Sequence, residues 1–301
     1  MNLEGLTAFL AVAETGSFTG AAERLFLTQP AVSKRIALLE GDLDTRLFDR
    51  IGREVRLTEA GEALLPRARA ILLTLEDTRR ALHNLHAGEI AGTLTFGTSH
   101  HIGLHRLPPL LREYSTRYPK VQLDIHFIDS EEAWDDIVGG RMELGIVTLP
   151  PKNIVAKGDS TTPLRTEKIW DDPLAVVAAA DHPLASLQSV TLRALSQHPA
   201  ILPSDVTFTR RIVDAAFAAK GLSTPTAIST NYLETIKMMV AVGLGWSVLP
   251  ASMIDAQVVA LPVNELRIQR ELGVVYHPGR TLSKAARAMV GMLHAERDVR
   301  D

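Results

Sequence analysis

Apolar residues recur at three- and four-residue spacing from the start of the chain, and the polar positions between them break into short segments. Leu3, Leu6, Phe9, Leu10, Val12 and Ala13 share one face and predict a first amphipathic helix. In Phe18-Thr19-Gly20-Ala21-Ala22-Glu23-Arg24-Leu25, small residues sit where a second helix must approach another, with Phe18 and Leu25 inward. Leu27-Thr28-Gln29-Pro30 reads as a break. Thr28 is placed to cap the next helix and Pro30 fits its first turn, where no N–H partner is needed. Val32, Ile36 and Leu39 then carry the apolar stripe of a third helix, which leaves Gln29, Ser33, Lys34 and Arg35 largely outward. Two helices meeting at a sharp turn are either an ordinary hairpin or a helix-turn-helix. In the latter, the first residues of the second helix reach base edges in the major groove.

The following residues favour DNA. Leu47-Phe48 and Val55-Arg56-Leu57 alternate as the arms of a small hairpin with Gly52-Arg53 at its tip, a wing that brings Arg50, Arg53 and Arg56 toward phosphates or the minor groove. From Thr58, a plausible N-cap, a helical pattern runs to about Ala87 and stops at Gly88. Leu64, Ala68, Ile71, Leu75, Thr78, Leu82 and Leu85 form a heptad seam, which predicts a coiled-coil partner, although Pro66 removes one backbone hydrogen bond. Beyond Gly92 the pattern alternates between strand and helix. Strands are expected at 94–98, 121–127, 144–147, 174–178, 200–202, 225–230, 246–249 and 272–276, and helices at 99–118, near 130–140, 208–220, 232–242 and 283–296. Such alternation predicts a mostly parallel, doubly wound sheet.

Composition narrows the function. There are 301 residues, enough for two or three domains, and 46% are hydrophobic. The absence of cysteine excludes disulfides, thiolate metal sites and cysteine-based redox sensing. No apolar run approaches the roughly 20 residues that span a bilayer, and no basic-then-apolar leader precedes the first helix. A cytoplasmic protein with no membrane partner is therefore expected. The net charge is −3, so DNA affinity must come from placed cations and from two copies acting together rather than from bulk charge. No G-x-S-x-G elbow, phosphate-cradling glycine loop or H-E-x-x-H motif points to an enzyme, and no cofactor is implied.

The stretch AETGSFTGAAERLFLTQPAVSKRIALLE, the LFDR tetrapeptide and LTEAG stand in the order and spacing of LysR-type transcriptional regulators, which the first 65 residues resemble closely. Asp181-His182-Pro183-Leu184 and the segment from Gly243 to Pro250 are similar to recurrent family segments as well. The resemblance implies an α plus α/β fold: an N-terminal winged helix-turn-helix, a long linker helix, and a two-lobed effector domain like a periplasmic binding protein. The corresponding division is 1–57, 58–91 and 92–301, with lobe 1 as 92–163 plus 265–301 and lobe 2 as 164–264. Chain crossings are expected near 163–164 and 261–263. The implied partners are double-stranded promoter DNA, a small effector, a second copy through the linker helix, a homotetramer and RNA polymerase; the hydroxyls and amides expected in the cleft suit a polar, anionic effector. The DNA-binding residues would be Thr28, Gln29, Pro30, Ser33, Lys34, Arg35, Arg50 and Arg53. The peroxide-sensing branch of the family, which needs reactive cysteines, is excluded.

Ligands of such folds lie beyond the carboxyl ends of strands, where helix N-termini present free N–H groups. That rule selects Ser99, His100 and His101 after the first strand, Ser130 after the second, Thr148 after the third, and Thr207 and Asn231 in the second lobe. The Ser99 position is also one that effector sites in the family use. Each hydroxyl has an ordinary alternative as a helix cap or turn residue. His101 and His105 share a helical face at i, i+4, but no third carboxylate ligand lies near them in sequence, so no metal site is expected. Instead, His100 or His101 would offer a hydrogen bond or a positive charge to the effector.

Overall fold

The computed structural model describes residues 2–51, 54–86, 89–150, 164–266 and 268–300. The chain forms two compact units, Met1–His86 and Ala87–Asp301. Among the described residues, no helix is long and apolar enough to cross a membrane.

The first unit contains α1 (Leu3–Thr15), α2 (Phe18–Arg24), α3 (Gln29–Leu43), β1 (Phe48–Ile51), β2 (Glu54–Leu57) and α4 (Glu59–His86). Its starts are set by short polar side chains: the Gly5 N–H donates to Asn2 Oδ1 at 2.7 Å, and the Gly20 N–H donates to Ser17 Oγ at 3.3 Å. The apolar faces of the three helices meet as the sequence predicts. Leu6, Phe9, Val12, Phe18, Val32, Ile36 and Leu39 are buried together with Leu47 and Phe48. The Phe48 ring packs 5.3 Å from Phe9 and 5.9 Å from Phe18, which anchors the wing to the helices. The wing is an antiparallel pair that runs from Phe48 opposite Leu57 to Ile51 opposite Glu54. Its tip at 52–53 lies outside the described residues.

The linker helix α4 is one continuous run of 28 residues through Pro66, and Thr58 Oγ1 caps it by accepting from the Gly61 N–H at 3.1 Å. Its seam is not left wholly for a second chain. Ala68 is fully buried in the core of the unit, and Leu64, Leu65, Ile71 and Leu72 pack against that core. The heptad positions thus split between an inner half that closes the domain and an outer half beginning at Leu75, which is half-buried. The side chains of Leu82 and Leu85 lie outside the described residues.

The second unit begins with β3 (Gly92–Thr98), α5 (His100–His105), α6 (Leu107–Arg117), β4 (Val121–Phe127), α7 (Ser130–Gly139), β5 (Leu144–Thr148) and β6 (Arg165–Ala179). It continues with α8 (Leu192–Leu195), β7 (Ala200–Leu202), α9 (Phe208–Ala218), β8 (Thr226–Ser229), α10 (Leu233–Ala241), β9 (Ser247–Pro250), β10 (Val258–Ala260), β11 (Ile268–Tyr276) and α11 (Lys284–Arg300). The single helix expected over 99–118 is two, because Pro108 and Pro109 supply no N–H to the preceding turn. Arg106 ends α5 and begins α6.

The sheet is mixed rather than mostly parallel. β3 lies parallel to β4 and β5, but β11 is antiparallel to both β5 and β6, and β9 and β10 are antiparallel to β6. The physical reason is that β6 and β11 are long strands shared by both lobes. Ile169, Trp170, Leu272 and Val274 belong to the core of lobe 1, whereas Val176, Ala178, Leu266 and Ile268 belong to a core of lobe 2. The chain therefore changes lobe inside paired strands, at 171–173 and 269–271, several residues beyond the 163–164 and 261–263 expected. A register shift between Leu272 and Gly273 lies just on the lobe 1 side of this crossing.

Candidate nucleic-acid interface and ligand cleft

The N-terminal end of α3 presents Thr28, Gln29, Pro30 and Lys34 to solvent, while Ser33 and Arg35 are half-buried. Thr28 occupies the N-cap position, but its side chain makes no capping hydrogen bond, contrary to its expected role. Gln29 Nε2 donates to Ser33 Oγ at 2.9 Å, which holds both side chains on the exposed face. Arg35 is less outward than its position suggested. Its guanidinium lies 3.0 Å from the Glu4 carboxylate, tying α3 to α1. Phe26, in the turn before α3, is 95% exposed at φ 54°, and Leu38 is exposed further along. Phe26 stands between Leu25 and Leu27, and nothing in the sequence distinguishes it from those two less exposed neighbours. Of the wing cations, Arg50 has only its backbone described, in β1, and Arg53 lies outside the described residues.

In the second unit several strand ends and helix starts converge. Ser99, His100, His101, Ser130, Thr148, Thr207 and Asn231 all line one cavity of about 310 Å³ between the lobes. Several of these side chains already have local work. Ser99 Oγ accepts from the Ile102 N–H at 3.4 Å, Thr207 Oγ1 from the Arg210 N–H at 3.3 Å, and Ser130 Oγ from the Thr148 N–H at 3.1 Å. Thr207 Oγ1 also donates to the Ser204 carbonyl at 2.8 Å, so it keeps only a lone pair for another partner.

Polar contacts cross the cleft. Asn231 Nδ2 donates to Asp129 Oδ2 at 2.5 Å, and Asn231 Oδ1 accepts from the Ser204 N–H at 2.9 Å. The Phe208 N–H, at the start of α9, donates to Glu131 Oε1 at 2.8 Å. A carboxylate from lobe 1 thus already sits on the N-terminus of a lobe 2 helix, where the helix dipole favours an anion. Burial nonetheless raises the Glu131 pKa, against the lowering effect of its backbone hydrogen bonds. At the mouth, the His100 ring stacks on Phe127 at 5.3 Å and meets Tyr232 edge-on at 4.7 Å.

The groups that sequence reasoning missed are charged. Arg270, only 9% exposed, lines the cavity and donates from Nε to Asp172 Oδ2 at 2.5 Å. Arg270 Nη1 also reaches Thr209 Oγ1 at 3.4 Å, and Arg106 lies 3.5 Å from Asp172. The fixed positive charge in the cleft therefore belongs to Arg270 and not to His101. Burial, reinforced by Arg270, pushes the His101 pKa down to about 4, so its imidazole is neutral at pH 7. Nor do His101 and His105 lack a carboxylate, because Glu234 of α10 stands 2.9 Å from His105 Nε2.

Comparison with known proteins bears on both units. Residues 3–62 match the family model described as a bacterial regulatory helix-turn-helix protein of the lysR family, and residues 87–298 match that of the LysR substrate binding domain. A probable RuBisCO transcriptional regulator of Cyanophora paradoxa is 31% identical over an alignment covering 95% of this chain and 89% of that protein. An uncharacterized HTH-type transcriptional regulator from the ibpB-leuC intergenic region of Azotobacter vinelandii is 73% identical over 36% of this chain and 75% of its own length. Among solved structures, a cysteine-to-aspartate variant of full-length OxyR from Pseudomonas aeruginosa is 25% identical, covers 98% of each chain and superposes with a TM-score of 0.69. The likeness to OxyR is one of fold, since this chain has no cysteine.

A depressed histidine pKa makes stability depend on pH in a defined window. Between the ordinary 6.5 and about 4, the unfolded chain binds a proton at residue 101 that the folded chain refuses. Stability should therefore fall as pH drops through that window and level off below it. An NMR titration of the His101 imidazole in chelator-treated protein should give a midpoint near 4; a midpoint at 6 or above contradicts the burial argument.

Proposed function

Since the chain belongs to the LysR family of bacterial transcriptional regulators, we propose that it controls promoters in response to a small anionic metabolite held between its lobes. It is a DNA-binding regulator with an effector-binding domain, and not an enzyme. The finer reading divides the chain into a DNA-binding domain at 1–57, a linker at 58–91 and an effector domain at 92–301. It acts in the cytoplasm, where promoter DNA is.

In this reading Gln29 and Ser33 read base edges as a linked pair, and Thr28, Pro30 and Lys34 bring the head of α3 to the groove and its phosphates. Arg35 holds the pose through Glu4, and Arg50 and Arg53 reach the backbone from the wing. Two copies joined along the outer half of α4 place two such helices on a two-fold site, and pairs of dimers extend it to a tetramer. On the effector side, Ser99, His100, His101, Ser130, Thr148, Thr207 and Asn231 supply the hydrogen bonds and Arg270 the charge.

One observation carries the anionic assignment: the N-terminus of α9 accommodates a carboxylate, that of Glu131, at hydrogen-bonding distance. An incoming anion would displace Glu131 from the Phe208 N–H and exchange a bridge within the protein for one through the ligand. The effector shifts the population of lobe arrangements only as far as it binds one of them better.

Two measurements separate the parts of this reading. Gln29→Ala should weaken specific promoter binding by roughly 1–3 kcal/mol per half-site in an anisotropy titration, without changing effector affinity. Loss of effector binding in that variant would contradict the division of labour. For the cleft, a thermal-shift screen of small carboxylates and phosphate esters should find a stabilising ligand that Glu131→Ala binds about tenfold tighter, because one charge-assisted hydrogen bond no longer competes. Unchanged or weaker binding to that variant would contradict displacement of Glu131 by the ligand.

A further inference from the structure

His101 and His105 stand one turn apart on α5 in lobe 1, and Glu234 reaches them from α10 in lobe 2. One ligand atom from each lies within 4.8 Å of the others, and the two imidazole rings are 4.9 Å apart between centroids. A simple ion pair explains part of this, since His105 Nε2 is 2.9 Å from Glu234 Oε1. It does not explain His101. That side chain is 4% exposed, and neither of its ring nitrogens has a hydrogen-bond partner among the described residues. Buried polar groups in folded proteins are nearly always partnered, so an imidazole bare on both sides calls for a ligand.

We propose that His101, His105 and Glu234 form a transition-metal site of the zinc class that ties lobe 1 to lobe 2 at the rim of the cleft. Two imidazole nitrogens and one carboxylate oxygen are a recurrent zinc donor set, with a fourth position left for water or another ligand. Tetrahedral coordination at ordinary Zn–N lengths needs donors about 3.3 Å apart. His105 and Glu234 are 42% and 38% exposed, so their side chains can draw in by rotation without disturbing a core. Burial also favours the neutral imidazole that a metal requires. The cation would face two carboxylates, Glu234 and Asp172, while the nearby cations Arg270 and Arg106 are both drawn onto Asp172. Whichever His101 nitrogen binds the metal, the other remains a donor. Because the ligands come from both lobes, bound metal favours the closed arrangement, and metal and effector affinities are linked reciprocally.

The test uses the full chain, stripped with a chelator and titrated with Co²⁺ and then Zn²⁺. One equivalent of Co²⁺ should produce the visible ligand-field absorption of a tetrahedral site, and Zn²⁺ should abolish it. His105→Ala and Glu234→Gln should each weaken binding by at least about 100-fold, the upper end of what loss of even an outer-shell partner costs. His126→Ala, whose imidazole pairs with Asp124 on β4, should leave binding unchanged. X-ray absorption of the zinc-loaded wild type should show two imidazole ligands, a readout independent of whether any variant folds. The absence of the Co²⁺ band at stoichiometric concentration, equal binding by both variants, or zinc without imidazole ligands would overturn the proposal.

Discussion

The buried ion pair between Arg270 and Asp172 is the constraint around which the effector unit is arranged. The two residues are direct partners across the antiparallel pairing of β11 with β6, at the point where both strands pass from one lobe to the other. Asp172 is 1% exposed, so its charge is tolerable only with a close counter-charge, which Arg270 Nε supplies at 2.5 Å and Arg106 supports. Arg106 belongs to the lobe 1 helices, and Thr209, which Arg270 also touches, belongs to α9 of lobe 2. One pair thus fixes the strand register at the hinge and sets helices of both lobes against it.

The character of the cleft follows from that arrangement. Strand ends and helix starts from the two lobes face each other across a charged base, and the gap is bridged by Asp129 with Asn231 and by Glu131 with the Phe208 N–H. Further out, His105 meets Glu234 and His100 meets Tyr232. These bridges lie between groups that water or a ligand can also satisfy, so the closed cleft can be exchanged for a liganded one at modest cost. The apolar cores of the two lobes are separate and need not be disturbed when the hinge bends.

The helix-turn-helix, the wing and the cleft hydroxyls were legible in the sequence because each depends on local rules: apolar periodicity, turn residues and the tendency of sites to form after strands. All seven residues chosen on that last rule line one cavity. Arg270 and Asp172 were not legible. A charge in the middle of a strand normally marks a solvent-facing position, and only the pairing of strands some hundred residues apart makes this one buried. Glu234 was invisible to a search for metal ligands close in sequence for the same reason. Arg35 and the inner half of the linker seam also proved less outward than their positions suggest. Their spacing fits an outer face, but α1 supplies Glu4 to the one and an apolar surface to the other. The two prolines that divide α5 from α6 were in plain view, and the turn they impose outweighs the periodicity on either side.

The central claim, that the Arg270–Asp172 pair holds the hinge of the effector unit, is tested most directly by a double-mutant cycle. Trp134, Trp170 and Trp246, the three tryptophans of the chain, all lie in the effector unit, so tryptophan fluorescence during urea unfolding reads that unit alone. Arg270→Met and Asp172→Leu should each cost about 3–5 kcal/mol by leaving a buried charge without its partner. The double variant should cost far less than the sum of the two. Costs that add to within about 0.5 kcal/mol would show that the two residues act independently, and would contradict the account.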